Sequence, residues 1–332
     1  MSGVTHQLVS VVTPFFNEEE DLAECIESIL AQTHQNWELI LVNNCSTDRS
    51  LEIAQRYAMC DSRIRVSSNE RFLRATENQN NAIRKISKDS KYCKVVLADD
   101  WIFAECLERM VALAEANPSV GLVGAYGIRG SLVTWHGLPY PSTVVPGREI
   151  CRWTLLGKPY VFGTQTSTLI RSDLVWARPT FYNESNIHAD TEVCFEILKH
   201  SDFGFIHQVL TYTRMREGSL TSFSERVNSY MPGKLSDLVY FGPVFLTPEE
   251  LRVYLGEHLN AYYSFLADAA FHSKGREFWD YHIKKLQELR HPLSRARLMK
   301  SVMAKGLDCL LNPKRTLEGL LDDARGSGGP PR

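Results

Sequence analysis

Two carboxylates side by side, Asp99 and Asp100, follow the apolar run Val95-Val96-Leu97-Ala98 and precede Trp101. Successive residues of an extended chain point to opposite sides. The two acids can therefore serve different partners, a divalent cation for one and a sugar hydroxyl for the other. Magnesium and manganese sites of this kind take one or two carboxylates and complete their shell with substrate phosphates. A charge pair at a helix N-terminus would use the same residues for stability alone. A second acidic pair, Asp190 and Glu192, lies in Asn186-Ile187-His188-Ala189-Asp190-Thr191-Glu192. At helical spacing Asp190 shares a face with Val193, Cys194, Ile197 and Leu198 and points inward. Glu192 lines up with Phe195, Glu196 and Lys199, nearer solvent. A helix cap is the plainer use of Asp190. Arg214 and Arg216 add guanidinium groups, which bind phosphate oxygens through paired N–H donors but cannot ligate a metal. Other chemistries lack their motifs. There is no Gly-x-Ser-x-Gly elbow, and Pro14 to Glu18 contains no glycine for a phosphate loop. The eight cysteines include no CxxC pair, and several fall inside apolar patterns that read as reduced core thiols.

The elements that must hold these residues alternate. Leu8 to Thr13 reads as a strand stopped by Pro14, and Trp37 to Val42 as a second. Ile64 to Val66 is a third, Cys93 to Ala98 a fourth ending in Asp99-Asp100, and Val120 to Ala125 a fifth. Helical spacing recurs between them, through Leu22 to Leu30, Leu51 to Tyr57, Ala82 to Ile86 and Cys106 to Leu113. Strands alternating with helices of this length mean βαβ units, an α/β fold and a mostly parallel sheet flanked by helices. Ligands on such sheets bind beyond the carboxyl ends of the strands. That edge gathers Pro14 to Glu18, Asn43 to Ser46 and Asp99 to Trp101. From about residue 127 glycines and prolines punctuate a loop-rich stretch. Order returns with a strand-like Thr166 to Ile170, the helix after Asp190 and a strand over Phe203 to Thr213. Beyond about residue 240 the pattern is helical, and a tail from 318 is expected to be disordered.

Four segments in order resemble the family 2 glycosyltransferases of the GT-A fold. They are Val11-Val-Thr-Pro14-Phe15-Phe-Asn17-Glu18-Glu19, Gln32-Thr33, Trp37 to Asp48 with Asn43-Asn44-Cys45-Ser46, and Asp99-Asp100. The resemblance covers roughly residues 8 to 225 and implies an inverting transfer of sugar from a nucleotide-sugar to an acceptor hydroxyl. It implies a catalytic domain over 1–240, with a nucleotide-sugar half to about 125 and an acceptor half from 126, then a helical extension over 241–317. It places Pro14, Phe15 and Asn17 beside the nucleotide, Asn44 on the nucleobase and Asp99 on the ribose. Asp100 falls at the metal position, for Mn2+ or Mg2+. Asn80 or Asn81 matches an asparagine before the helix preceding the acidic motif, Arg216 matches a diphosphate-holding position, and Asp190 matches the catalytic base. The family usually carries an Asp-Asp pair where this chain has Asn43-Asn44, which keeps an acceptor oxygen but no charge. The donor base is left open by that change. A sugar-phosphate nucleotidyltransferase would share the layout but wants a Gly-rich N-terminal loop. A non-catalytic binding module is the other alternative.

Composition bounds the rest. A net charge of −2 with 44% hydrophobic residues excludes disorder of the whole chain and does not suit a general nucleic-acid binder. No apolar run reaches the length of a transmembrane helix and no secretory leader is visible, so a cytoplasmic protein is expected. From His272 to Arg315, eleven Lys or Arg stand against four acids. A basic amphipathic helix can lie on an anionic membrane, in keeping with a saccharide or lipid-linked saccharide acceptor.

Overall fold

The computed structural model describes residues 7–158, 160–215 and 220–311. Arg216 and the tail from 318 lie outside the described residues. The chain divides into two compact units, Met1–Ser219 and Leu220–Arg332.

The first unit begins as β1 (Val9–Phe15), α1 (Leu22–Leu30), β2 (Trp37–Asn43), α2 (Ser50–Cys60), β3 (Ile64–Ser68), α3 (Ala75–Ile83) and β4 (Tyr92–Val95). It continues as β5 (Trp101–Ile102), α4 (Cys106–Ala116), β6 (Val120–Arg129), β7 (Leu132–Thr134), β8 (Val144–Val145) and α5 (Gly147–Leu155). A 3-10 turn (Gln165–Ser167), β9 (Leu169–Arg171), α6 (Ser172–Trp176), α7 (Ala189–Leu198) and β10 (Asp202–Thr213) complete it. The strands form one sheet in the order β3-β2-β1-β4-β9-β6-β10-β5, with β7 on β6 and β8 on β10. The run from β3 to β4 is parallel, as is the long β6–β10 pair, while β9 joins β4 to β6 antiparallel to both. Every residue of β1 is buried, as expected of a central strand covered on both faces.

Three local expectations are corrected. Pro14 does not stop β1 but pairs with Val42 inside it. Val12 O accepts from Val96 N, so the alternate residue Pro14 turns its nitrogen to the same side. There β4 has already ended at Val95, and the missing N–H breaks no ladder bond. The fourth strand likewise stops at Val95, and Ala98-Asp99 form a turn. Thr166 lies in the 3-10 turn rather than in a strand, which begins at Leu169.

The second unit is helical: α8 (Leu220–Val227), α9 (Tyr230–Tyr240), α10 (Gly242–Phe245), α11 (Pro248–Phe271), α12 (Arg276–Glu288) and α13 (Arg295–Leu311). The sequence places a boundary at 240, whereas the units divide after Ser219. Leu235 on α9 explains the earlier division, because it shares a buried cluster with Tyr262, Leu266, Phe278 and Leu286. Thr247 and Glu250 start α11 with a reciprocal capping box.

Candidate active site

At the carboxyl ends of β1 and β2 the chain turns through two residues in the left-handed region, Asn17 (φ 53°) and Cys45 (φ 62°). Asparagine tolerates that conformation, while cysteine is an uncommon choice for it. The two loops are sewn together. Asn17 Oδ1 accepts from Thr47 N at 2.8 Å, and Ser46 Oγ accepts from Asn17 N at 3.1 Å. Ser50 Oγ accepts from Glu18 N, and Asp48 accepts from Glu19 N. Asn17 is thus a loop tie at the expected edge of the sheet.

Phe15 does not take the place expected of it. Phe15 is 2% exposed and belongs to the hydrophobic core, so its ring does not face the edge. Phe16 is 39% exposed and meets Phe72 edge-on, with ring centroids 4.9 Å apart. Strand alternation is the signal that separates them: Phe15 continues the inward set and Phe16 turns out.

The asparagines also act differently from expectation. Asn44 is 3% exposed, and its oxygen accepts from Leu73 N at 3.0 Å and from Asn69 Nδ2 at 2.8 Å. Its Nδ2 donates to Leu73 O at 2.9 Å. Both lone pairs expected to read a base are committed to the 69–73 loop. Asn69 continues the network, donating to Asn78 and accepting from Asn81 Nδ2. Asn80 lies inside α3, not before a helix, and clasps the backbone of Tyr182 in both directions at 2.8 Å. Asn80 and Asn81 are therefore ties between elements.

Asp100 is 1% exposed at the start of β5. Its Oδ2 accepts from Thr166 Oγ1 at 2.6 Å and its Oδ1 from Arg214 N at 3.0 Å. Burial, helped by the charge of Asp99, pushes its carboxyl up to about 7, while the Thr166 and Arg214 donors pull the other way. Asp99 is half-buried, and its carbonyl accepts from Arg214 Nε at 3.1 Å. The Arg214 guanidinium is also held by Asp21, at 3.2 Å, and by Glu24. Trp101 stacks on Tyr212 beside them, with centroids 4.9 Å apart and planes 13° from parallel.

Asp190 is the second residue of α7, and His188 is the N-cap, so Asp190 does not cap the helix. Its side chain shares a narrow cleft with Gly163, Thr164, Gln165, Tyr182, Val193 and Cys194. Burial raises its pKa, while His188 and the Thr191 N–H oppose the shift. Burial thus outweighs the helix N-terminus at this carboxyl. Glu192 is occupied elsewhere, accepting from Asn183 and Asn186 side-chain amides.

The 3-10 turn joins the two acidic centres, a connection that sequence reasoning missed. Thr166 reaches Asp100 while Thr164 and Gln165 line the cleft of Asp190. Gly163 (φ +79°) makes the turn possible, since a Cβ there would stand 2.4 Å from Ser167 Cβ. Among the described residues no group of three or more His, Cys, Asp or Glu could hold a metal. The hard oxygens of Asp99 and Asp100 suit Mg2+ or Mn2+ in type.

Comparison with known proteins agrees with this arrangement. Residues 10–178 match the family described as Glycosyl transferase family 2. EpsE of Bacillus subtilis (strain 168) is 34% identical over 164 residues, 47% of this chain and 58% of EpsE. The match thus spans less than two thirds of that relative. S. aureus TarS 1–349, solved in complex with UDP-GlcNAc, shares the fold at a TM-score of 0.64 with 18% identity, covering 93% of this chain and 92% of that one. Mannosyltransferase PcManGT from Pyrobaculum calidifontis, solved with GDP-Man and Mn2+, gives a TM-score of 0.53 and 13% identity, over 91% and 87% of the two chains. The strand order, the acidic edge and a match over more than half of its length together show that the chain belongs to glycosyl transferase family 2.

Proposed function

We propose that the protein is a metal-dependent, inverting glycosyltransferase that moves a sugar from a nucleoside-diphosphate sugar to a saccharide hydroxyl in polysaccharide or glycoconjugate synthesis. The observation that carries this reading is a pair of carboxylates, the buried Asp100 and the half-buried Asp190, bridged by one turn. They suit opposite ends of a transfer. Asp100 and Asp99 would hold the cation, with Asp99 also reaching the ribose. A divalent cation, when bound, neutralises charge on the diphosphate as it leaves. The Arg214 guanidinium is paired with Asp21 and Glu24.

Asp190 is the proposed base. It takes the proton of the acceptor hydroxyl, whose oxygen forms a bond to the anomeric carbon. The bond from that carbon to the diphosphate oxygen breaks, and its electron pair leaves with the nucleotide. Attack opposite the leaving group inverts the centre. A raised pKa suits a base working near neutrality. Gln165 supports an acceptor here, since its buried Oε1 has no hydrogen-bond partner and it lines the cleft of Asp190. At the nucleotide end, the exposed Phe16 and Phe72 offer faces on which a base can stack. Complexes of the structural neighbours with UDP-GlcNAc and with GDP-Man and Mn2+ support this donor class and the metal.

The experiment is turnover of a panel of UDP- and GDP-sugars with Mn2+, water or a saccharide serving as acceptor. Turnover by the wild-type chain that disappears in Asp100→Ala is the expected result. A wild-type chain inert with every donor, yet binding them, would instead make it a binding module.

A further inference from the structure

Lys94 stands in the middle of β4 between Cys93 and Val95 and, like them, is fully buried. Met110 Sδ lies 3.9 Å from Nζ, and burial lowers its pKa while Cys106 and the charge of Asp100 oppose the shift. A lysine in such a place is costly unless its N–H groups are used. Cys106 and Met110 of α4 lie beside it, and its oxygen partners lie on one short segment. Nζ donates to Thr166 O at 2.7 Å and to Thr168 O at 3.3 Å.

The sheet shows why those carbonyls need a donor. β4 and β9 pair only at Tyr92–Arg171 and Cys93–Ile170. Beyond that point β4 runs on, while the facing chain curls into the 3-10 turn and leaves the ladder. The Lys94 side chain spans the gap between the parted chains. The anchored turn then makes two further connections. Thr166 Oγ1 donates to Asp100 Oδ2 and accepts from Leu97 N at 3.2 Å, while Thr164 and Gln165 form one wall of the Asp190 cleft.

We propose that Lys94 is a positioning residue for glycosyl transfer, fixing the 164–168 turn on β4 and thereby setting Asp100 against the wall of the Asp190 cleft. It touches no reacting atom, and the proposal rests on the transferase reading above. The test is Lys94→Met, which keeps length and bulk but removes every donor. Turnover of UDP- and GDP-sugars with Mn2+ is measured per folded molecule, well below the melting temperature. Amide hydrogen exchange is followed in parallel over 163–168 and over β1.

Turnover should fall roughly 10²-fold, the scale of a misplacement of about 1 Å. Exchange over 163–168 should quicken while β1 stays protected. A purely structural lysine would lower the melting temperature and leave the folded variant's turnover and the turn's exchange unchanged. Turnover within twofold of wild type, or unaltered exchange over 163–168, overturns the proposal. A wild-type chain without turnover would count against the transferase reading alone, and the exchange measurement would still decide for or against the tether. If Lys94→Met does not fold, Lys94→Gln, which keeps an N–H donor on a shorter arm, is read by the same two measures.

Discussion

At the residue scale, the environments of the two central acids differ from what their types alone suggest. Asp190 and Asp100 are both pushed above the ordinary carboxylate range, first by burial. For Asp190 the sign is unambiguous. A folded-state pKa above the unfolded one favours folding fully below the unfolded value and loses that contribution as pH rises through the folded value. Asp190→Asn should therefore raise the melting temperature at pH 8 relative to wild type, while cutting transfer by ~10²–10⁴-fold, the usual loss of a general base. The acid limb of the wild-type pH–rate profile should lie above the ordinary carboxylate range. A variant that melts lower and turns over normally would remove Asp190 from the mechanism. Phe15 and Phe16 teach the same point in apolar chemistry, where one position along the chain separates the core from the exposed edge.

At the element scale, the 69–73 loop is held to the end of β2 and to α3 by amide side chains. Asn44 bonds to Leu73 in both directions, as a neighbouring strand would, and the Asn69, Asn78 and Asn81 amides extend the contact into α3. A carboxylate at 44 would keep the acceptor and lose the donor, setting an oxygen against Leu73 O. Asn44→Asp, which restores the family's usual residue, should then destabilise the fold by about 1–3 kcal/mol, the cost of an unsatisfied buried group. Denaturant melts check the stability, and nucleotide titrations check the function. Tighter uridine-diphosphate binding with no loss of stability would show Asn44 to be a base reader after all.

At the scale of the whole molecule, the helical unit carries a surface that its own core does not use. Met299, Met303, Leu307, Leu310 and Leu311 project from α13 at helical spacing and are more than half exposed. Arg295 and Lys300 are exposed on the same helix. Among the described residues no helix is long and apolar enough to cross a membrane. A peripheral contact with anionic lipid is the proposal this surface supports. Flotation with vesicles containing phosphatidylglycerol should recover the wild-type chain. Met303→Asp with Leu307→Asp should abolish recovery without lowering turnover of a soluble acceptor. Equal recovery of both proteins would exclude α13 as the contact.

Much of this organisation was legible in the residues alone. Alternating apolar runs and helical spacings determined the α/β layering, because burial of one face dictates period along the chain. The position of Asp99-Asp100 after an apolar run placed the pair just beyond the carboxyl end of β4, and the spacing of Asp190 to Val193 and Cys194 put the three on one side of α7. What the sequence could not contain was which distant segments fill each remaining hydrogen bond. Thr166 is 66 residues from Asp100, and Asn80 is 102 from Tyr182. Nothing in the strand sequence around Lys94 announces the carbonyls of a distant turn that the fold brings onto its Nζ. Periodicity is a local property of the chain, whereas the satisfaction of a buried polar atom is decided by whatever the fold brings against it, and only the tertiary structure makes that choice.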